Sequence, residues 1–286
     1  MECEVLFLGF GPITFALAKQ LIAKGNKVIV ISGDQRTFMT QGAELPKELF
    51  KIISWSDALN EQINSESTYI GWRKPPQSRL LGPQITSWVK SIKMETGKIH
   101  HLSSASVYTG SQDLYSEADY NFRDTKRDLN SKQELEKFVF ELSFEKNTKF
   151  INYRISNVYG SGLNQGFINE SIDYLKGNNP IRIYKKLDLI RDYLLIDDLI
   201  TALMDLRRNE STSEILNIST GRAVAISEIV ERLKSIKKGR FEFLEVAAPK
   251  EILLKSVLSC KKLEETISWN PQRLEESLEI LLEELI

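Results

Sequence analysis

Three stretches of the 286-residue chain carry side chains whose types and spacing suit chemistry. The first, Gly9-Phe10-Gly11-Pro12-Ile13-Thr14, follows an apolar run and opens a segment in which Ile13, Ala16, Leu17 and Leu21 recur on one helical face. Glycines at a strand-to-helix turn let backbone approach a ligand closely, and the helix N-terminus offers unpaired N–H groups to an anion such as a pyrophosphate. Gly9, Gly11, Pro12 and Ile13 are therefore candidate cofactor-binding residues. Thr14 stands where a third glycine would complete G-x-G-x-x-G, and its Cβ demands a compensating small neighbour.

The second stretch is Val28-Ile29-Val30-Ile31 running into Ser32-Gly33-Asp34-Gln35-Arg36. Dinucleotide-binding units often place an acidic residue here to accept the ribose hydroxyls. Ser32 occupies that position and Arg36 could meet a 2′-phosphate, which favours NADP over NAD; a small shift of the loop would instead bring Asp34 to the ribose. The third stretch, from Ile99 to Tyr108, reads as a strand ending in hydroxyls. In open parallel sheets chemistry sits beyond the carboxyl ends of strands, so Ser104 is placed to hydrogen-bond a reacting carbonyl. His100 and His101, inside the strand, read as packed structural residues. Farther on, Asp128, Lys132, Leu135, Val139 and Leu142 are spaced by 4, 3, 4 and 3 and share one helical face. That face passes from apolar core to charge, as at a cleft, although an Asp–Lys pair four apart is also an ordinary surface ion pair.

These residues need a scaffold, and the rest of the chain supplies its pattern. Short β-branched runs near Glu4–Leu8, Lys27–Ile31, Lys51–Trp55, Thr68–Gly71, Lys98–Ser103 and Thr148–Ile155 alternate with helical periods near Pro12–Lys24, Asp57–Asn64, Ile85–Met94 and Leu129–Glu145. The alternation predicts an α/β fold: a doubly wound parallel sheet of six strands, a Rossmann fold, over residues 1–156. Residues 157–286 are expected to form mainly a smaller C-terminal substrate-binding lobe, with some segments returning to the main domain. Its expected elements include helices at Asp197–Arg207, Ser227–Lys237 and Leu274–Leu285 and a short strand at Ile215–Ile218.

Composition sets the class of partner. Hydrophobic residues make up 42% and charged residues 27%, an ordinary folded balance, and 38 Lys plus Arg against 39 Asp plus Glu leave a net charge of −1. That balance argues against a nucleic-acid or anionic-membrane surface and for a small-molecule partner. Cys3 and Cys260 lie far apart without nearby histidines, which predicts a reducing compartment and no metal site. The Val5–Ala18 run is too short to span a bilayer and lacks the features of a signal peptide, so a cytoplasmic location is expected.

Six motifs in order give a family resemblance: Gly9-Phe10-Gly11, Ser103 to Tyr108, Asn130-Ser131-Lys132, Arg154 to Gly160, Arg191 to Leu199, and Asn217 to Gly221. Together they resemble the extended short-chain dehydrogenase/reductases of the nucleotide-sugar epimerase and dehydratase type, along almost the whole chain. The resemblance implies NAD or NADP as cofactor, a nucleotide sugar as substrate and a homodimer through the Leu129–Glu145 and Ile85–Met94 region. It matches Ser104 to the family's catalytic hydroxyl and Lys132 to the lysine that holds the ribose. It puts Asp128 where the family's proton-shuttling tyrosine stands, and leaves Tyr108, Tyr115 or Tyr120 to supply a phenol from another direction. Asn157 and Arg191 are implied for the substrate's diphosphate. Trp72, Arg73 and Lys74 stand where relatives usually carry small residues beside the cofactor. These departures leave open a second reading, a catalytically inactive dinucleotide-binding scaffold or regulatory protein.

Overall fold

The most apolar runs of the chain become its central strands, and their burial on both faces forces helices onto both sides of the sheet. In the computed structural model all residues are described except 34–44, 73–81, 122–129, 164, 176, 178–180, 185–187, 211–214, 237–242, 248–251 and 284–286. Asp34, Arg36, Arg73, Lys74 and Asp128 thus lie outside the described residues. The order is β1 (Glu2–Leu8), α1 (Pro12–Ala23), β2 (Val28–Ile31), β3 (Phe50–Ile53), α2 (Trp55–Ala58), β4 (Gln62–Ile70), α3 (Gly82–Ser91), β5 (Lys93–Ser104), α4 (Ser131–Glu145) and β6 (Lys149–Ile155). The sheet has seven strands, ordered Ile215–Ile218, β6, β5, β4, β1, β2, β3, so the strand expected in the C-terminal lobe joins the main sheet. The pairs β1–β2, β2–β3, β1–β4 and β4–β5 are all parallel. The chain winds outward from β1 through β2 to β3, then returns to lay β4 on the other side of β1.

Two expected helices are corrected. α2 stops at Ala58 and β4 starts at Gln62, where a helix to Asn64 was predicted; likewise β5 starts at Lys93, ahead of the predicted end of a helix at Met94. β4 has partners on both edges, Glu2 opposite Asn64 and Lys93 opposite Gln62. Such two-sided pairing outweighs the weak local preference of a polar segment.

The contacts divide the chain into two units, Met1–Val107 with Tyr120–Arg154 and Leu203–Leu216, and Tyr108–Asp119 with Ile155–Ala202 and Asn217–Ile286. In the second, Asn157–Tyr159 pairs in parallel with Tyr193–Leu195, and Ile181–Tyr184 with Phe243–Val246. Its core gathers Tyr159, Ile168, Tyr193, Ile229, Leu233 and Leu278. Among the described residues no helix is long and apolar enough to cross a membrane, and no group of three or more His, Cys, Asp or Glu side chains could hold a metal.

The first unit buries polar groups on both faces of β5. His100 Nδ1 meets the Tyr153 hydroxyl at 2.9 Å, and its ring stacks on Tyr69 with centroids 4.4 Å apart. His101 Nδ1 meets Asn152 Oδ1 at 2.6 Å. Ser103 donates to Glu136 Oε1 at 2.6 Å, and the same carboxylate takes Arg154 through Nε at 3.1 Å and Nη2 at 2.9 Å. Neither side chain of this ion pair has any solvent exposure. Arg154 also donates to the Tyr120 carbonyl at 2.9 Å and lies over its ring.

Burial pushes His100 down to about 3, helped by the Lys98 and Arg207 charges, and His101 down to about 4 despite the Glu136 carboxylate and the Asn152 hydrogen bond. Below pH ~6.5 the unfolded chain protonates both rings while the native state keeps them neutral, so stability falls with pH between about 6.5 and 4. Each histidine contributes about 1.4 kcal/mol per pH unit in that window. Urea melts between pH 7 and 5 should show this slope, and His101→Gln should flatten it by about one proton; an unchanged slope would mean that His101 titrates alike in both states. Glu136→Ala should cost roughly 3–5 kcal/mol by stranding a buried guanidinium, and Glu136→Leu combined with Arg154→Met should cost less than either single loss. A fully additive double variant in the same melts would contradict the coupling.

Candidate active site

The strand order reverses between β1 and β4, and ligands of open α/β sheets bind outside the carboxyl ends at such a point. There Gly9 adopts φ +85°, a left-handed conformation that favours glycine, and its N–H donates to the Ile31 carbonyl at 2.9 Å. Gly11 caps α1, Pro12 follows at the position where a missing N–H costs nothing, and Ile13 is half-buried. Among the described residues a Cβ added to Gly11 would meet nothing within 4 Å, so they leave the helix end open to an anion. Thr14 is buried; its hydroxyl accepts from the Gly11 N–H at 2.7 Å and donates to the Gly11 carbonyl at 2.9 Å. The compensating small neighbour is Gly71, where a Cβ would stand 3.0 Å from Thr14 Cγ2. Ser32 is buried just past β2, with its N–H on the Ile53 carbonyl at 3.1 Å.

Next to this turn, β5 and α4 deliver Ser104 and Lys132. Ser104 Oγ accepts from the Ser106 hydroxyl at 3.1 Å and the Ser106 N–H at 3.3 Å. Asn130 and Gln133 form a capping box at the start of α4: Asn130 Oδ1 accepts from the N–H groups of Lys132 and Gln133, each at 3.0 Å, and Gln133 Oε1 accepts from the Asn130 N–H. The same side chains bind the β5 exit, Asn130 Nδ2 donating to the Ser106 carbonyl at 3.0 Å and Gln133 Nε2 to the Val107 carbonyl at 2.7 Å. Lys132 Nζ donates to the Trp72 carbonyl at 3.1 Å. Backbone and caps therefore hold Ser104, Lys132 and Trp72 at the carboxyl edge of β5 and β4. The Asn-x-x-Gln spacing signals this box in the sequence; Glu136, one turn past Lys132 on the same face, is the supporting residue that sequence reasoning missed.

Tyr108 is engaged by other side chains. It is buried in the second unit, its hydroxyl donates to Asn217 Oδ1 at 2.6 Å, and its ring stacks on Tyr115. Asn217 in turn donates through Nδ2 to the Tyr115 and Ser259 carbonyls and through its N–H to Glu117. That net engages the phenol named above as a catalytic candidate.

Also in the second unit, Asn157 and Arg191 line a cavity of about 380 Å³ with Tyr159, Phe167, Tyr184 and Tyr193. Asn157 Nδ2 donates to the Asp192 carbonyl at 3.2 Å. Arg191 turns its fork toward backbone: Nη1 donates to the Ile190 and Leu254 carbonyls and Nη2 to the Leu253 carbonyl at 2.8 Å. Burial also lowers the guanidinium from its usual range. Arg191, implied for the substrate's diphosphate, thus anchors the Leu253–Leu254 backbone. The carboxylate of Asp192 is held by Thr220 and Gly221, with burial raising it from the ordinary range.

Comparison with known proteins agrees with this geometry. Residues 81–219 match the model of the NAD dependent epimerase/dehydratase family. A dTDP-4-dehydro-6-deoxyglucose reductase of Escherichia coli is 31% identical over 136 residues, which cover 46% of this chain and 43% of the reductase. An ADP-L-glycero-D-manno-heptose-6-epimerase of Brachyspira hyodysenteriae is 26% identical over 149 residues, 49% of this chain and 47% of the epimerase. The matches thus span less than half the length of these curated relatives. In fold, the chain is similar to a Bacillus cereus UDP-glucuronic acid 4-epimerase solved with UDP-glucuronic acid and NAD, with a TM-score of 0.75 at 17% identity over 99% of this chain and 100% of the other. Residues 81–219, just under half of the chain, thus carry a likeness to the NAD dependent epimerase/dehydratase family, and the doubly wound sheet is the fold it shares with the solved neighbour.

Proposed function

We propose that the chain is an NAD(P)-dependent enzyme that acts on a nucleotide-linked sugar by epimerisation, dehydration or carbonyl reduction. The observation that carries this reading is the delivery of Ser104 and Lys132, by β5 and the capped start of α4, to the strand edge beside the glycine turn. The names of the curated relatives, a reductase and an epimerase of nucleotide sugars, support it. Gly9, Gly11, Pro12 and Ile13 would hold the cofactor's diphosphate, Ser32 its adenosine ribose, and Lys132 the other half, which lies beside Trp72. Bound there, the nicotinamide supplies a hydride acceptor or donor. Ser32, together with Arg36 in the sequence, favours NADP.

The chain's own residues would orient the sugar and place charge. The Ser104 hydroxyl can bond a sugar oxygen, and the Lys132 ammonium can stabilise negative charge developing nearby. Asp128 stands where the resemblance puts a phenol; a carboxylate near 4 against a phenol near 10 is mismatched by roughly 6 units for taking an alcohol proton, so Asp128 serves as an anchor. Asn157 is the residue for the substrate's nucleotide diphosphate. Homodimer formation through α3 and α4 completes the reading. A second reading, nucleotide binding without catalysis, is favoured by the Tyr108 phenol being bound to Asn217.

Purified protein given NAD or NADP with a panel of nucleotide sugars should convert at least one of them, and Ser104→Ala should lower kcat by roughly 100-fold or more. Binding without conversion of any sugar would decide for the second reading. Light scattering should return a dimeric mass, and a monomer would refute the assembly.

A further inference from the structure

An indole fills the place where the sheet should open. Leu8 lies opposite Ile70, so Gly9 and Gly71 are neighbours at the carboxyl edge of β1 and β4, and Trp72 is the next residue. A Cβ built on Gly9 would stand 2.5 Å from Trp72 Cδ1 and 2.6 Å from Nε1, which puts the pyrrole edge of the ring directly against the Gly9 backbone. The ring is backed by Phe138, with centroids 6.2 Å apart, and its carbonyl is tied to Lys132. Its buried Nε1–H finds no acceptor among the described residues. A few residues along, a Cβ on Gly11 would meet none of the described residues within 4 Å.

The two ends of the turn therefore offer different room. A diphosphate carrying one nucleoside can dock on the Gly11 end. A dinucleotide must also cross the crevice between β1 and β4, because it binds across the point where strand order reverses. The indole occupies that crossing. We propose that Trp72 is a specificity-determining residue that admits a nucleoside diphosphate at the Gly11 end of the site and opposes a full dinucleotide, which seats only once the side chain leaves Gly9. This rests on the reading of the Gly9–Ile13 turn as a nucleotide site.

Titration calorimetry with ADP, NAD and NADP on the full chain tests it, using Trp72→Ala and the milder Trp72→Leu. The alanine variant should bind NAD or NADP about tenfold tighter than wild type, with leucine in between and ADP changed by less than about twofold. Melting curves establish that each variant is folded, and the leucine variant alone suffices should alanine fail to fold. Dinucleotide affinity that is unchanged or weaker in the folded variants, with wild type binding NAD or NADP, would overturn the role of Trp72 and leave the proposed enzyme standing. Failure of all folded proteins to bind any of the three nucleotides would overturn both.

Discussion

A carboxylate and a guanidinium with no solvent exposure tie β5, β6 and α4 together. Removing two charges from water costs several kcal/mol each, and the arrangement survives only because Glu136 faces Ser103 as well as Arg154, and Arg154 also reaches the Tyr120 carbonyl. That requirement admits little freedom in how α4 lies on the sheet. Glu136 is one turn beyond Lys132 and the Asn130 cap, so seating the ion pair also seats the first turn of the helix, from which Asn130 and Gln133 hold the Ser106 and Val107 carbonyls just past Ser104 at the end of β5. The positions of both candidate catalytic side chains follow from a contact that neither of them makes.

The same economy of space governs the glycine turn. Thr14 in place of a glycine would push α1 off the sheet, but Gly71 on the adjoining strand leaves room for its methyl group, and its hydroxyl replaces lost turn geometry with two bonds to Gly11. The residue after Gly71, Trp72, sets its ring against Gly9, a bulky side chain at the crevice where ligands of such sheets are received.

In the second unit, motifs that look like ligand contacts in sequence are engaged in building the lobe. Asp192 organises Thr220 and Gly221, Asn217 gathers Tyr108, Tyr115, Glu117 and Ser259, and Arg191 fastens the Leu253–Leu254 backbone. Buried polar groups must find partners, and short strands with irregular connections leave many backbone groups for side chains to satisfy. A motif shared with a family can therefore mark a shared scaffold as readily as a shared ligand.

Periodicity and glycine placement were enough to determine the doubly wound class, the six N-terminal strands, the α1 turn and the placement of Ser104 at a strand end, because each depends on residues close in sequence. The early starts of β4 and β5, the entry of Ile215–Ile218 into the main sheet, the pairing of Thr14 with Gly71, the Glu136–Arg154 pair and the capture of Tyr108 by Asn217 were decided by tertiary structure. Each joins residues from tens of positions to more than a hundred apart, or in one case a helix and a strand whose register only the folded sheet sets. Local pattern states what a side chain is able to do; which partner reaches it first is settled by packing.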